Sequence, residues 1–190
     1  MALEIGVSAG FVTTSPTADP NPTYQVGFSD SVQSGKFTSP SGASKITEIG
    51  FYNFNASADA QNMEFGIYED DSINSRPGTL LYGTSQTSIS SGKGWKKITG
   101  LNIAISQSTS YWIAIQGDNN SSGLQSISAD SFAGEFSEYK TTSITTLPSP
   151  WGVSDGDNND FLVAAYAVYE TSSTTIQGLQ SIIGVSSITL

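Results

Sequence analysis

The sequence predicts an all-β protein: an antiparallel β-sandwich, jelly-roll-like, with extended N- and C-terminal arms. Three observations point there. Short runs alternate apolar and polar residues, turn residues recur about every eight to twelve positions, and no window carries a capped apolar stripe of helical period. Strands of this kind have one apolar face each, which they can bury only against a second sheet.

Residues 1–23 read as an arm. "TTSPTADPNPT" places Pro16, Pro20 and Pro22 among small polar residues, which extends the backbone and resists helix. The preceding "LEIGVSAGFV" has the length of one strand. Residues 24–170 form the sandwich. In "NMEFGIYED", Met63, Phe65 and Ile67 alternate with Glu64, Gly66 and Tyr68. "GIYEDDSINSRPGTLLYG", residues 66–83, runs from a strand through an acidic turn into a second strand. Pro77 fixes φ and Gly78 permits positive φ, so the reversal is expected at Pro77-Gly78 as a type II turn. "LNIAIS" and "SYWIAIQG" repeat the alternation, with Leu101, Ile103 and Ile105 and then Tyr111, Ile113 and Ile115 on one side. "DFLVAAYAVYE", residues 160–170, is apolar on both faces and reads as one central strand covered twice. The expected core is Phe51, Phe65, Ile67, Leu81, Trp95, Ile103, Ile105, Trp112, Ile113, Ile115, Leu162 and Val163.

Residues 171–190 break this pattern. Ile176, Leu179, Ile182, Val185 and Ile188 recur every third position, with glycines at 178 and 184. An apolar tail of this regularity, outside any globular context, is expected to act as an assembly arm that adds to a neighbouring subunit's sheet edge.

Composition narrows the chemistry. Seven basic residues against seventeen acidic ones give a formal charge of −10, which opposes nucleic acid and anionic lipid as partners. No cysteine is present, so neither a disulfide framework nor a thiolate nucleophile is available. Histidine is absent too, which excludes Ser-His-Asp and Cys-His catalysis and removes the commonest transition-metal ligand. No window reaches the roughly 18 apolar residues of a membrane span, and the first residues lack the basic start of an ordinary cleaved signal. Charged residues are only 13% of the chain, so hydroxyls and amides are expected to cover the surface, as they do in extracellular and virion β-proteins.

The run from Lys45 to Asn119 carries Ile67-Tyr68-Glu69-Asp70, Pro77-Gly78-Thr79-Leu80-Leu81, Gly94-Trp95-Lys96-Lys97-Ile98 and Thr109-Ser110-Tyr111-Trp112-Ile113. These phrases resemble a β-sandwich domain of bacterial surface and secreted proteins, of the choice-of-anchor or carbohydrate-binding-like kind. The resemblance covers under half of the chain. It implies a sandwich and raises glycans as ligands. The glycine-spaced tail is similar to the ends of tailed-phage virion proteins.

Carboxylates are the remaining site chemistry. "DGDNND" offers Asp155, Asp157, Asn158 and Asp160 as hard oxygen ligands from a loop that Gly156 lets bend, and Ca²⁺ is the ion such a set would suit. It fails the full EF-hand pattern, and a solvated polar turn is the competing reading. Glu69, Asp70 and Asp71 form a second cluster, for which an ion-paired turn with Arg76 is the expected account. Glu64, Glu135 and Glu138 could supply a glycosidase pair, although nothing around them marks a raised pKa. Sugar recognition needs exposed aromatic faces with polar rims: Tyr52, Trp95, Tyr139 and Trp151 are candidates, Trp151 and Tyr139 before the others. Glycosylation sequons at Asn55, Asn119 and Asn120 match only a pattern common in Asn- and Ser-rich chains. The functional expectation is therefore a non-enzymatic structural protein of a virion or other extracellular assembly, such as a phage capsid-decoration, head-fibre or tail component. It would self-associate or join other subunits through its arms. A carbohydrate-binding module is the alternative.

Overall fold

The computed structural model describes residues 2–118, 124–141 and 143–172, without the side chains of residues 132, 135 and 157–159. Ile176, Leu179, Ile182, Val185 and Ile188 lie outside the described residues, as do Asn119 and Asn120. The described chain is all strand and loop, with no helix. Its strands are β1 (Gly10–Val12), β2 (Tyr24–Gly27), β3 (Ser31–Thr38), β4 (Ala43–Asn53), β5 (Gln61–Asp71), β6 (Arg76–Gly83), β7 (Thr87–Ile89), β8 (Gly94–Ala104), β9 (Ser110–Gly117), β10 (Ser126–Lys140), β11 (Gly156–Val163) and β12 (Ala165–Thr171).

Two antiparallel-dominated sheets pack face to face as a β-sandwich. One runs β11-β10-β3-β9-β5-β6, with β2 beside the first part of β10 and β7 beside the start of β5. The other runs β1-β12-β4-β8, and its β1–β12 contact is parallel. Alternation sets the inward faces. Phe65 pairs with Ile115 and Ile67 with Ile113 in the first sheet, while Phe51 from the second sheet meets Phe28 at 5.5 Å and Phe65 at 6.2 Å between ring centres. Phe51, Phe65, Ile67, Ile103, Ile113, Ile115, Leu162 and Val163 are buried in this core as expected, with Trp95 and Ile105 half-buried against it.

Three departures from the sequence reading have local causes. The run 160–170 is two strands that change sheet at Ala164. The Ala164 N–H donates to Ser128 O at 2.8 Å in the first sheet, and its carbonyl accepts from the Tyr52 N–H at 2.9 Å in the second. A strand that turns this corner is apolar on both sides because it serves the interior of both sheets. Leu81 is 42% exposed, because the register slips between Ile67↔Tyr82 and Tyr68↔Leu80 and leaves it as the extra residue of a bulge. The N-terminal segment is no free arm: Leu3, Ala9, Phe11 and Val12 are buried, and β1 joins β12 of its own chain.

Part of each outward face of the sandwich is covered by strandless chain. Residues 144–154 lie over β3, β9 and β5, where Leu147 and Trp151 close a second apolar cluster with Val32, Tyr68, Trp112 and Ala114. Trp112 belongs to this cluster and not to the central core. Residues 15–19 lie over β4, β8 and β12, reaching Glu48, Lys97 and Trp95.

Candidate functional site

The acidic hairpin of β5 and β6 and the loop before β11 meet at a cleft of about 260 Å³ lined by Asn74, Arg76, Glu138, Val153, Ser154 and Gly156. The hairpin does not reverse at Pro77-Gly78. Residues 72–75 make the turn, with Ser75 at φ +52°, and Arg76 and Pro77 already pair with Asp71 and Asp70 inside the sheet. Pro77 is tolerated because β6 pairs only with β5, so its missing N–H leaves no interior ladder bond unmade.

Asp71 closes the turn. It accepts from the Asn74 side chain at 2.7 Å and faces Arg76 Nε at 3.5 Å. The Asn74 hydrogen bond, helped by Arg76, holds its carboxyl below the usual aspartate range. Asp70 is spent differently, accepting from Trp112 Nε1 at 2.8 Å and pairing with Lys36 at 2.8 Å. Among the described residues, no group of three or more acidic side chains is placed to hold a metal ion. The acidic turn is thus a chain reversal held by its own carboxylates.

The stretch 155–160 enters a strand where a bending loop was expected. Gly156 to Asn159 pair along β10, with Asp157 opposite Glu138 and Asn158 opposite Ser137, and Asp160 stands unpaired opposite the bulge at φ +70°. The paired run Gly156–Asn159 holds Asp155 and Asp160 at its two ends. Each already caps main chain: Asp155 accepts from Thr141 N at 2.7 Å, and Asp160 accepts from Gly134 N at 2.7 Å. The two described aspartates of the set therefore do not converge; the side chains of Asp157 and Asn158 lie outside the described residues.

Trp151 is 1% exposed, which corrects the expectation of an open stacking face. Its ring meets Tyr68 edge-on at 5.2 Å, and its indole N–H donates to Ser154 Oγ at 2.9 Å. Tyr139 is partly exposed, with its ring laid so closely over Gly156 that a Cβ there would meet the hydroxyl at 2.3 Å. Tyr52 is buried, and Trp95 is half-buried with its N–H donating to Ala18 O at 2.9 Å.

Two glutamates work as clamps. Glu64 is buried and accepts from Leu147 N at 2.6 Å, fixing the 144–154 cover. Glu48 is buried and accepts from Ser15 Oγ at 2.5 Å, Tyr166 Oη at 2.6 Å and Lys97 Nζ at 3.0 Å. Burial pushes the Glu48 carboxyl up, but these three donors outweigh it and the pKa falls below the usual range. Glu64 on β5 and Glu138 on β10 lie three strands apart in the sheet, a backbone separation of at least roughly 14 Å. The Glu64 carboxylate is already taken up by Leu147 N, beneath the 144–154 cover. The Glu135 side chain lies outside the described residues.

Sequence reading placed amides on the surface, yet Asn53, Gln61, Gln116 and Gln125 are buried and tie loops together. Gln61 receives the Gln125 N–H at 2.9 Å, Gln125 donates to Asp59 O and Ser90 O, and Asn53 donates to Gly92 O at 2.7 Å. Asn55 of the first sequon is engaged likewise, donating to Leu124 O at 2.9 Å. A buried amide must find partners, and here each links chain segments that no ladder joins. No family model, curated protein or solved structure matches the chain.

Proposed function

We propose that the protein is a non-enzymatic structural component of a virion or other extracellular assembly, a phage capsid-decoration, head-fibre or tail component being the form we favour, and that residues 173–190 join it to its neighbours. One observation carries this reading. The described body lays its own chain over part of each outward face, and its last described strand ends at Thr171, beyond which the sequence holds no charged residue and an apolar residue at every third position. A segment of that composition gains stability only by covering apolar surface, its own or a partner's. The N-terminal segment no longer shares this role, because it docks on its own body. The charge of −10 keeps nucleic acid and anionic membrane outside the proposal.

Removing residues 173–190 and measuring particle size by light scattering tests this. The full chain is expected to run as an oligomer, alone or with its partner subunit, and the shortened chain as a monomer. Equal sizes overturn the reading.

A glycan-binding role has one observation in its favour: the cleft at Asn74, Arg76, Glu138 and Ser154 gathers polar groups of the kind that recognise sugar hydroxyls, with Tyr139 beside it over Gly156. Glycan-array binding that is lost on Arg76→Ala would favour it. Trp151 is no control here, since it is buried.

A further inference from the structure

The tail needs a surface to land on. We infer that the cleft lined by Ile5, Lys36, Phe37, Thr38, Gly134 and Phe136 is the acceptor for residues 173–190 of a second copy. This inference rests on the assembly reading above and adds the receiving site.

The cleft, of about 320 Å³, exposes apolar side chains that nothing in the described body covers: Phe136 is 40% and Ile5 42% exposed. A bulge puts Phe136 there. The register of β10 on β11 jumps from Ser131↔Phe161 to Phe136↔Asn159, with Gly134 at φ +88° and its N–H held by Asp160. Bulges re-aim side chains, and this one turns Phe136 outward, where Lys36 Nζ lies 5.8 Å from its ring centre. Lys36 is itself neutralised by Asp70, so the cleft presents aromatic and aliphatic surface with a paired cation, a match for an uncharged apolar segment.

The tail leaves the body beside this cleft. Thr171 pairs with Ala43, and Ser172 N donates to Gly42 O at 3.1 Å. The turn at Gly42 follows directly from the end of β3, and β3 supplies Lys36, Phe37 and Thr38 to the cleft. Both features therefore sit at one end of the molecule. What favours a neighbour's cleft over the chain's own is the sequence after Ser172. The sequence offers no Gly, Pro, Asn or Asp until Gly178, and the intervening Thr174, Thr175 and Ile176 are β-branched residues that favour extended backbone. A segment whose first residues favour extension suits the corresponding cleft of a neighbour, as in an exchanged segment.

A complementation experiment tests this with two altered full-body chains. The first, Phe136→Asp, keeps the tail and spoils the cleft. The second ends at Ser172 and keeps the cleft. Circular dichroism and thermal melting confirm that each folds, with Ile5→Asp as a second cleft variant should Phe136→Asp melt more than 10 °C lower. In sedimentation velocity, each altered chain alone is expected to be monomeric and their equimolar mixture to form a heterodimer. If the shortened chain is monomeric while both cleft variants assemble like the unaltered chain, the tail joins subunits elsewhere and only the acceptor assignment falls. If the shortened chain assembles unchanged, the assembly reading itself falls. If the unaltered chain is a monomer that loses thermal stability on Phe136→Asp, the tail sits in its own cleft and exchange is overturned.

Discussion

The two outward faces of the sandwich are covered by similar means but held by different forces. Over β3, β9 and β5, residues 144–154 bury Leu147 and Trp151 against Tyr68 and Trp112, and the polar contacts beneath them are main-chain ones: Glu64 to Leu147 N, Tyr68 Oη to Pro148 O and Gln116 to Ile144 O. Over β4, β8 and β12, residues 15–19 are held mainly by charge: Ser15 and Lys97 on Glu48, and Lys93 on Asp19 at 2.7 Å. The first cover rests mainly on apolar burial, with one carboxylate clamp at Glu64, and apolar burial responds less to salt and pH than the ionic contacts of the second. The first is part of the folded body, and the second is a segment that solution conditions can loosen.

The largest expected effect follows from the apolar cover. Trp151→Ala removes a fully buried indole from a cluster with no other large side chain able to fill its place, and should cost about 3–5 kcal/mol. Denaturant unfolding measures it. A loss under about 1 kcal/mol would mean that the 144–154 cover contributes no more than a surface loop, and the contrast between the faces would vanish.

The ionic cover gives the next effect. Glu48→Gln leaves Lys97 without its charge partner and two buried hydroxyls with a weaker acceptor, at a cost of about 1–3 kcal/mol. Its pH signature is distinct. The folded pKa of Glu48 is lowered from 4.5, and that of Asp19 is lowered from 3.8 to about 2, chiefly by the hydrogen bond from Lys93. A lowered folded pKa means stabilisation that is complete above the unfolded value and fades as pH falls through the folded one. Residues 15–19 should therefore loosen between about pH 4.5 and 2, while the ring packing of Trp151 on Tyr68 has no charge to lose. Hydrogen exchange read segment by segment should show protection falling at 15–19 before 144–154. Simultaneous loss would show that the two covers unfold as one unit.

Much of the body was legible because alternation is a local property. β9 coincides with "SYWIAIQG", and β5 with the alternation of Met63, Phe65 and Ile67. What escaped is decided by distant chain. Trp151 sits in a proline-flanked loop that reads as exposed, and only the apolar face offered by Tyr68 and Trp112, far away in sequence, makes that loop a cover. The doubly apolar run 160–170 was visible, but its division at Ala164 depends on Ser128 and Tyr52, one from each sheet. The stretch 155–160 read as a ligand set because spacing alone does not reveal that Asp155 and Asp160 are already engaged by Thr141 and Gly134. Phe136 carried no signal at all, because the bulge that exposes it is set by pairing with β11.

The smallest expected effect separates the parts of the ionic cover. Lys93 and Asp19 are both substantially exposed, so solvent screens their attraction and the pair should contribute between about 0 and 1 kcal/mol. A double-mutant cycle with Asp19→Asn and Lys93→Met isolates that coupling. It should shrink as sodium chloride rises from 0.05 to about 0.5 M, where the Debye length falls to a few ångströms. The coupling between Glu48 and Lys97 should shrink less, because Glu48 is buried beneath Ser15 and Tyr166. If both couplings respond equally to salt, burial of Glu48 gives no protection, and the cover at residues 15–19 is held by screened surface charge throughout.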